Sequence, residues 1–177
     1  MPEGLAGFFV ALNTFLSVTA SLGNALILVT LHKVSSVHPP TKLLFRCLAV
    51  TDLGVGLITQ PLYATTIQNF VTKIKWNILY YVEVIRIVSS IILCEVSIFT
   101  STAISVDRLL ALLLGLRYRH VVTLRRVCVL LTCFWLTSIS IALTYNFWSR
   151  SFSLFIGSGL IALSVVISIF SYTRIFF

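Results

Sequence analysis

Residues 97–123 read SIFTSTAISVDRLLALLLGLRYRHVVT: small and apolar side chains run up to Val106, then Asp107 stands beside Arg108 and a basic segment follows. A helix this apolar is suited to hydrocarbon, and an acid and a base at its end mark the place where it meets the interface. The rest of the chain has the same character. Of its 177 residues 58% are hydrophobic and 10% charged, and the mean hydropathy is +1.04, which excludes a water-soluble globule.

Five windows, 5–32, 42–71, 78–114, 121–148 and 151–177, are apolar over about 20 residues or more, the length a helix needs to cross a hydrocarbon core of roughly 30 Å. The expected fold is all-α: five transmembrane helices in one membrane domain, with short loops and no soluble domain. The first window lacks the basic start of a secretory signal, carrying Glu3 instead, and is too long for a cleaved one, so it reads as a retained span. His38-Pro39-Pro40-Thr41 marks the entry into helix 2, and Pro61 is expected to kink that helix toward its outer end.

Short cytoplasmic loops keep Lys and Arg. Lys33, Lys42 and Arg46 flank the loop after helix 1; Arg117, Arg119, Arg125 and Arg126 follow helix 3; Arg174 closes helix 5; the opposite loops hold Lys73, Lys75 and Arg150. The N-terminus is therefore expected outside. The net charge of +8 follows from this topology and from attraction to anionic membrane lipid, with no need for a nucleic-acid partner. Cys47, Cys94, Cys128 and Cys133 all fall within spans and read as small buried hydrophobes.

Helix 3 carries Arg86, Ser90, Cys94, Ser97, Ser101, Ser105 and Arg108 at steps of three or four, which places them on one face. A polar stripe through a bilayer faces other helices, so helix 3 belongs at the centre of the bundle. Any one serine could simply bond back to its own helix. Counting about 1.5 Å per residue from the inner surface puts Asn24, Asp52 and Ser97 at one level, roughly 13 to 17 Å deep. A carboxylate there needs a cation, a proton or hydrogen-bond donors; a neutral Asp52 bonded to Asn24 is the alternative. Asp107 can pair with Arg108 and partly neutralise it. Arg86 could meet an anionic ligand group, but Glu83 at i−3 is the favoured partner.

Gly23-Asn24, Leu48-Ala49-Val50-Thr51-Asp52, Asp107-Arg108-Leu109, Trp135 and Tyr172, in this order and spacing, resemble the landmarks of the rhodopsin-like, class A G-protein-coupled receptors. The resemblance covers the whole chain and implies a receptor signalling from the plasma membrane to a heterotrimeric G protein. By the same resemblance Asp107 restrains Arg108 in the inactive state, while Arg108, Leu116 and Tyr172 serve the activation switch. Asn24, Asp52 and Ser97 would form a polar core able to hold a sodium ion at Asp52, and Arg86, Ser90 and Cys94 would line the ligand pocket. Pro61 and Trp135 are structural landmarks, and no other cofactor is implied.

The departures are Glu83 for the usual outer Cys of helix 3, Ser164 for the helix 5 proline, Leu109 for the Tyr after the Arg, and Gly115 for a loop proline. The absent disulfide cysteine, the very short second outer loop between Asn146 and Ser153 and the missing helix 5 proline together look most like melanocortin-type receptors and their cannabinoid and lysophospholipid relatives. Ser90 in place of the amine-binding Asp argues against a monoamine. Helices 6 and 7 of the family would follow Phe177, so the resemblance implies a truncated product, partial gene model or pseudogene fragment. Such a chain is expected not to signal alone, and either to be retained in the endoplasmic reticulum or at most to assemble with a full-length homologue and lower its surface level. A transporter or channel subunit is the alternative, with Gly157-Ser158-Gly159 its one hint of a broken helix. An intramembrane enzyme would need a nucleophile and a base at one depth, which the three rim histidines do not supply.

Overall fold

The computed structural model describes residues 3–34, 37–72 and 76–176. Five long helices account for nearly all of them. Helix α1 is Glu3–Lys33; α2 covers 39–72; α3 is Trp76–Leu114; α4 is Leu124–Phe147; α5 is Arg150–Phe176. Four of these, α1, α2, α4 and α5, have the length and apolarity of membrane spans. The fifth, α3, is the longest at 39 residues and carries five charged side chains, Glu83, Arg86, Glu95, Asp107 and Arg108. It packs against α2, α4 and α5 and so sits at the centre, but Cys94, Ser101 and Arg108 of its polar stripe are exposed rather than turned onto other helices. Lys73 and Lys75 lie outside the described residues.

Burial is inverted relative to a soluble protein. Thr51, Thr100, Ser105, Ser138, Ser171, Ala49 and Ala142 are the closed contact points between helices, whereas Phe8, Phe15, Leu22, Leu113, Phe155 and Val166 stand outward. Small residues let helix backbones approach, and large apolar ones meet lipid chains that are as apolar as themselves. Three of the buried hydroxyls bond to carbonyls of their own or a neighbouring helix: Thr100 to Val96 (2.7 Å), Ser105 to Ser101 (3.0 Å), Ser153 to Ile141 (2.9 Å). Ser105 and Thr100 thus follow the local reading of such residues. At Ser164, where a proline was the family expectation, the backbone carbonyl instead accepts from Thr102 of α3 (3.3 Å), and Ser168 donates to the same hydroxyl (3.2 Å).

Pro61 acts through register. α2 runs as an α-helix over Pro39–Gly54, passes through a π-helical turn at Val55–Thr59, and resumes at Gln60. The Gln60 amide reaches back to the Val55 carbonyl, so the Gly56 carbonyl loses its usual donor, and proline at 61 has no N–H to supply another. α1 fills the vacancy, the Ser17 hydroxyl donating to the Gly56 carbonyl at 2.6 Å; nearby the Asn13 amide donates to the Gln60 carbonyl, also at 2.6 Å. Gly56 must be glycine for this approach, because a Cβ there would lie 2.6 Å from the Ser21 hydroxyl and 3.1 Å from the Ser17 carbonyl.

The expected fourth helix starts later than residue 121. After Leu114 the chain turns through Gly115, whose φ of +49° is open to glycine at little cost, and a short 3-10 turn over Gly115–Arg117. A single helical turn, Tyr118–Val121, follows, and the backbone is extended at Val122 and Thr123 before α4 begins. Val122 folds inward against Leu44, Ile104, Val127 and Leu131, an apolar cluster that seats this loop on the inner end of α2, α3 and α4.

Candidate functional site at the inner end of α3

Asp107 is buried, and its carboxylate bridges three elements. One oxygen accepts from the Thr41 hydroxyl at the start of α2 (3.0 Å), the other from the Tyr118 phenol in the loop (2.6 Å), and the two hydroxyls lie 3.0 Å apart. The His38 ring lies tilted against that of Tyr118, with centroids 5.3 Å apart. Burial, and the hydrogen bond to Asp107, push the Tyr118 phenol above its ordinary pKa, so it keeps the proton it donates.

The expected Asp107–Arg108 pair does not form. Arg108 is exposed and lies over the Phe45 ring, 5.5 Å from guanidinium to centroid. The reason is geometric: adjacent residues on a helix point about 100° apart and do not face one another. Asp107 turns toward α2 and the loop, and Arg108 turns out at the end of the bundle that carries this loop. Leu116, in the turn opened by Gly115, is 98% exposed, and Tyr172 of α5 is also exposed. Thr41 and Tyr118 were missed in the sequence; a hydroxyl just after Pro-Pro and a lone Tyr among arginines were the available signals.

At mid-depth two of the three expected partners meet: the Ser97 hydroxyl donates to Asp52 at 2.5 Å. The third does not join them, because the Asn24 amide donates to the Ala20 carbonyl of its own helix (2.9 Å), the local alternative open to any Asn in a helix. At the outer end Arg86 pairs with Glu83 through two nitrogens, the Nε contact at 2.9 Å, and Thr66 donates to the same carboxylate at 3.3 Å. The Tyr63 ring lies 5.6 Å from that guanidinium. Ser90 is half-buried, Cys94 and Ser101 are exposed, and Trp135 is half-buried on α4. The four cysteines are free thiols.

One buried acid escaped the sequence reading. Glu95 of α3 is closed from solvent at the junction with α4 and α5, where its Oε1 lies 2.9 Å from the position of a Cβ at Gly157. Its Oε2 and the Ser138 hydroxyl have no hydrogen-bond partner. It lies off the serine stripe, in a run of Ile, Leu and Val where periodicity gave no warning.

The chain is similar to known proteins. The model of the 7 transmembrane receptor (rhodopsin family) matches residues 23–154. Similar curated proteins include 5-hydroxytryptamine receptor 1B of Spalax ehrenbergi, 30% identical over 142 residues that make up 80% of this chain and 36% of that protein. Those of Equus caballus and Homo sapiens are 29% and 28% identical, each over 80% of this chain and 35% of the relative. The chain thus spans about a third of the length of the curated relatives it matches.

Proposed function

Because the chain belongs to the rhodopsin family of seven-transmembrane receptors and is a multi-pass membrane protein, we propose that it supplies the ligand-facing and G-protein-facing surfaces of a plasma-membrane receptor. The observation that carries this reading is the state of Asp107. Its carboxylate is committed to Tyr118 and Thr41, which anchors the loop after α3 and leaves Arg108 and Leu116 free to meet a cytosolic partner. An exposed leucine on an anchored turn beside an exposed arginine offers an apolar anchor and a charge of the kind that dominates protein interfaces.

The orientation is N-terminus outside, supported by the arginines of the loop after α3 and by Arg174 at the end of α5. A cysteine placed at residue 120 should react with an impermeant reagent after permeabilisation only; labelling of intact cells would reverse the orientation. In the polar core Asp52 and Ser97 are oxygen donors of the type a hard cation takes, and they would hold a sodium ion once further ligands are supplied. The outer half favours a ligand other than a monoamine: residue 90 is Ser, and the nearby Glu83 carboxylate is taken up by Arg86 and Thr66.

The test is a receptor in which this chain is continued by the remaining helices of a 5-hydroxytryptamine receptor 1B, scored by nucleotide exchange on a co-expressed G protein. Leu116→Asp should lower exchange at least about tenfold at equal surface density, the effect of losing an interface anchor. Exchange unchanged by both Leu116→Asp and Arg108→Ala would overturn the reading.

A further inference from the structure

Between α3, α4 and α5, at the inner half of the bundle, lies an open groove of about 440 Å³, within the size range of small-molecule sites, roughly 300–1,000 Å³. Its walls are apolar: Phe99, Val106 and Leu110 from α3, Leu130 and Phe134 from α4, Ile167 from α5. A second apolar groove, about 630 Å³, runs along the other side of α4. Arg126, Leu130 and Phe134 belong to both, so the two grooves share one ridge and meet at one arginine.

Charge at that meeting point is unbalanced. Arg125 and Arg126 occupy the first turn of α4, which contains no acid, and cations there oppose the helix dipole. The Arg126 Nη1 donates to the Val121 carbonyl at 2.7 Å, which fixes the guanidinium at the groove mouth and leaves its other donors for a further acceptor. Asp107 also borders the first groove, but its two oxygens are turned to Thr41 and Tyr118. From Arg126 to Phe134 is eight residues of helix, roughly 12 Å, close to the depth of one leaflet of a hydrocarbon core about 30 Å thick.

We propose that this junction binds an anionic diacyl phospholipid, with the phosphate on Arg125 and Arg126 and one acyl chain in each groove. Two open apolar grooves, the second walled by α4 and Thr123 alone, meet under a pair of cations and match a headgroup carrying two chains, and a phosphate at the first turn of α4 relieves the opposition between the arginines and the dipole. The proposal rests on the chain spanning a membrane and is independent of G-protein coupling.

The test is native mass spectrometry of the full chain in detergent micelles with dioleoylphosphatidylglycerol or dioleoylphosphatidylcholine. The anionic lipid should be retained over the zwitterionic one by at least about fivefold, the factor a single basic residue contributes near an anionic surface. Arg125→Gln with Arg126→Gln should abolish that preference, and Leu130→Trp, which fills the shared ridge, should reduce retention of both lipids. Arg117→Gln with Arg119→Gln, which removes the same charge elsewhere in the loop, should keep the preference. Equal retention of the two lipids, a preference that survives in the 125/126 variant, or one lost equally in the 117/119 variant would overturn the proposal. Because no G protein is present, a failure here and a failure to couple are read separately.

Discussion

At the outer end of α3, Glu83 and Arg86 stand three residues apart and pair; at the inner end, Asp107 and Arg108 are adjacent and part company. The outer pair is local. It needs one helix, and any chain with that spacing can form it. The inner acid is non-local: its partners come from 66 residues before it and 11 residues after it, and it holds together α2, α3 and the loop. One cluster decorates a helix, while the other is a joint between elements. For the G-protein-facing surface proposed above, such a joint sets the position of Leu116.

The largest expected effect breaks the joint. Asp107→Ala removes the acceptor of two hydroxyls, one of them from buried Thr41, and hydrogen bonds to a charged group contribute roughly 1.5–3 kcal/mol each. The chain in micelles should lose about 3 kcal/mol or more, and amide exchange should accelerate over residues 115–121. Arg108→Ala, at an exposed site, should cost under about 0.5 kcal/mol. Equal destabilisation by the two substitutions would restore the ion pair and end the contrast.

Tyr118→Phe sharpens the comparison by removing one arm of the joint, with an expected loss of roughly 1.5–3 kcal/mol by thermal unfolding in micelles. Combined with Thr41→Val it should be non-additive, because both donors share one carboxylate and lie 3.0 Å apart. Additive losses would mean that the two hydroxyls act separately.

What could be foreseen in the sequence divides along the same line. Hydropathy gave the five helices, and the i, i+3 spacing gave the Glu83–Arg86 pair, since both depend on near neighbours alone. Depth counting brought Asp52 to Ser97 because two straight helices crossing one slab keep a common vertical scale. The same counting did not bring Asn24 to them, because a carbonyl of its own helix was closer to hand. Tyr118 stood out only as a lone Tyr among arginines, and its return to Asp107 depends on the reversal at Gly115, a backbone angle that hydropathy does not encode. The bond from Ser17 to the Gly56 carbonyl could not be foreseen, since it exists only because the π turn before Pro61 displaces the usual donor.

Gly115→Ala tests that reversal. A side chain in the left-handed region costs roughly 1–2 kcal/mol, and a Cβ at this position meets nothing within 4 Å, so the loss reports backbone strain alone. Amide exchange should rise at Tyr118 and remain unchanged at Glu83 and Arg86. A variant as stable as the parent would mean that the loop reaches Asp107 without the left-handed turn.

The smallest effect belongs to the outer pair. Glu83 and Arg86 are partly exposed, at 37% and 20% of their side-chain surface, and pairs of this kind on one helix contribute about 0.3–0.5 kcal/mol. Glu83→Gln keeps the shape of the side chain and an acceptor for Thr66 while removing the charge, so it should lower stability by no more than that amount. Part of that loss should disappear in high salt, where partly exposed charges are screened. The freed Arg86 would remain over the Tyr63 ring, which limits the loss further. A deficit above about 1.5 kcal/mol for Glu83→Gln, unmoved by salt, would mean that the outer cluster is also a joint, tying α3 to α2 through Thr66 and Tyr63, and that the two ends of α3 follow one rule.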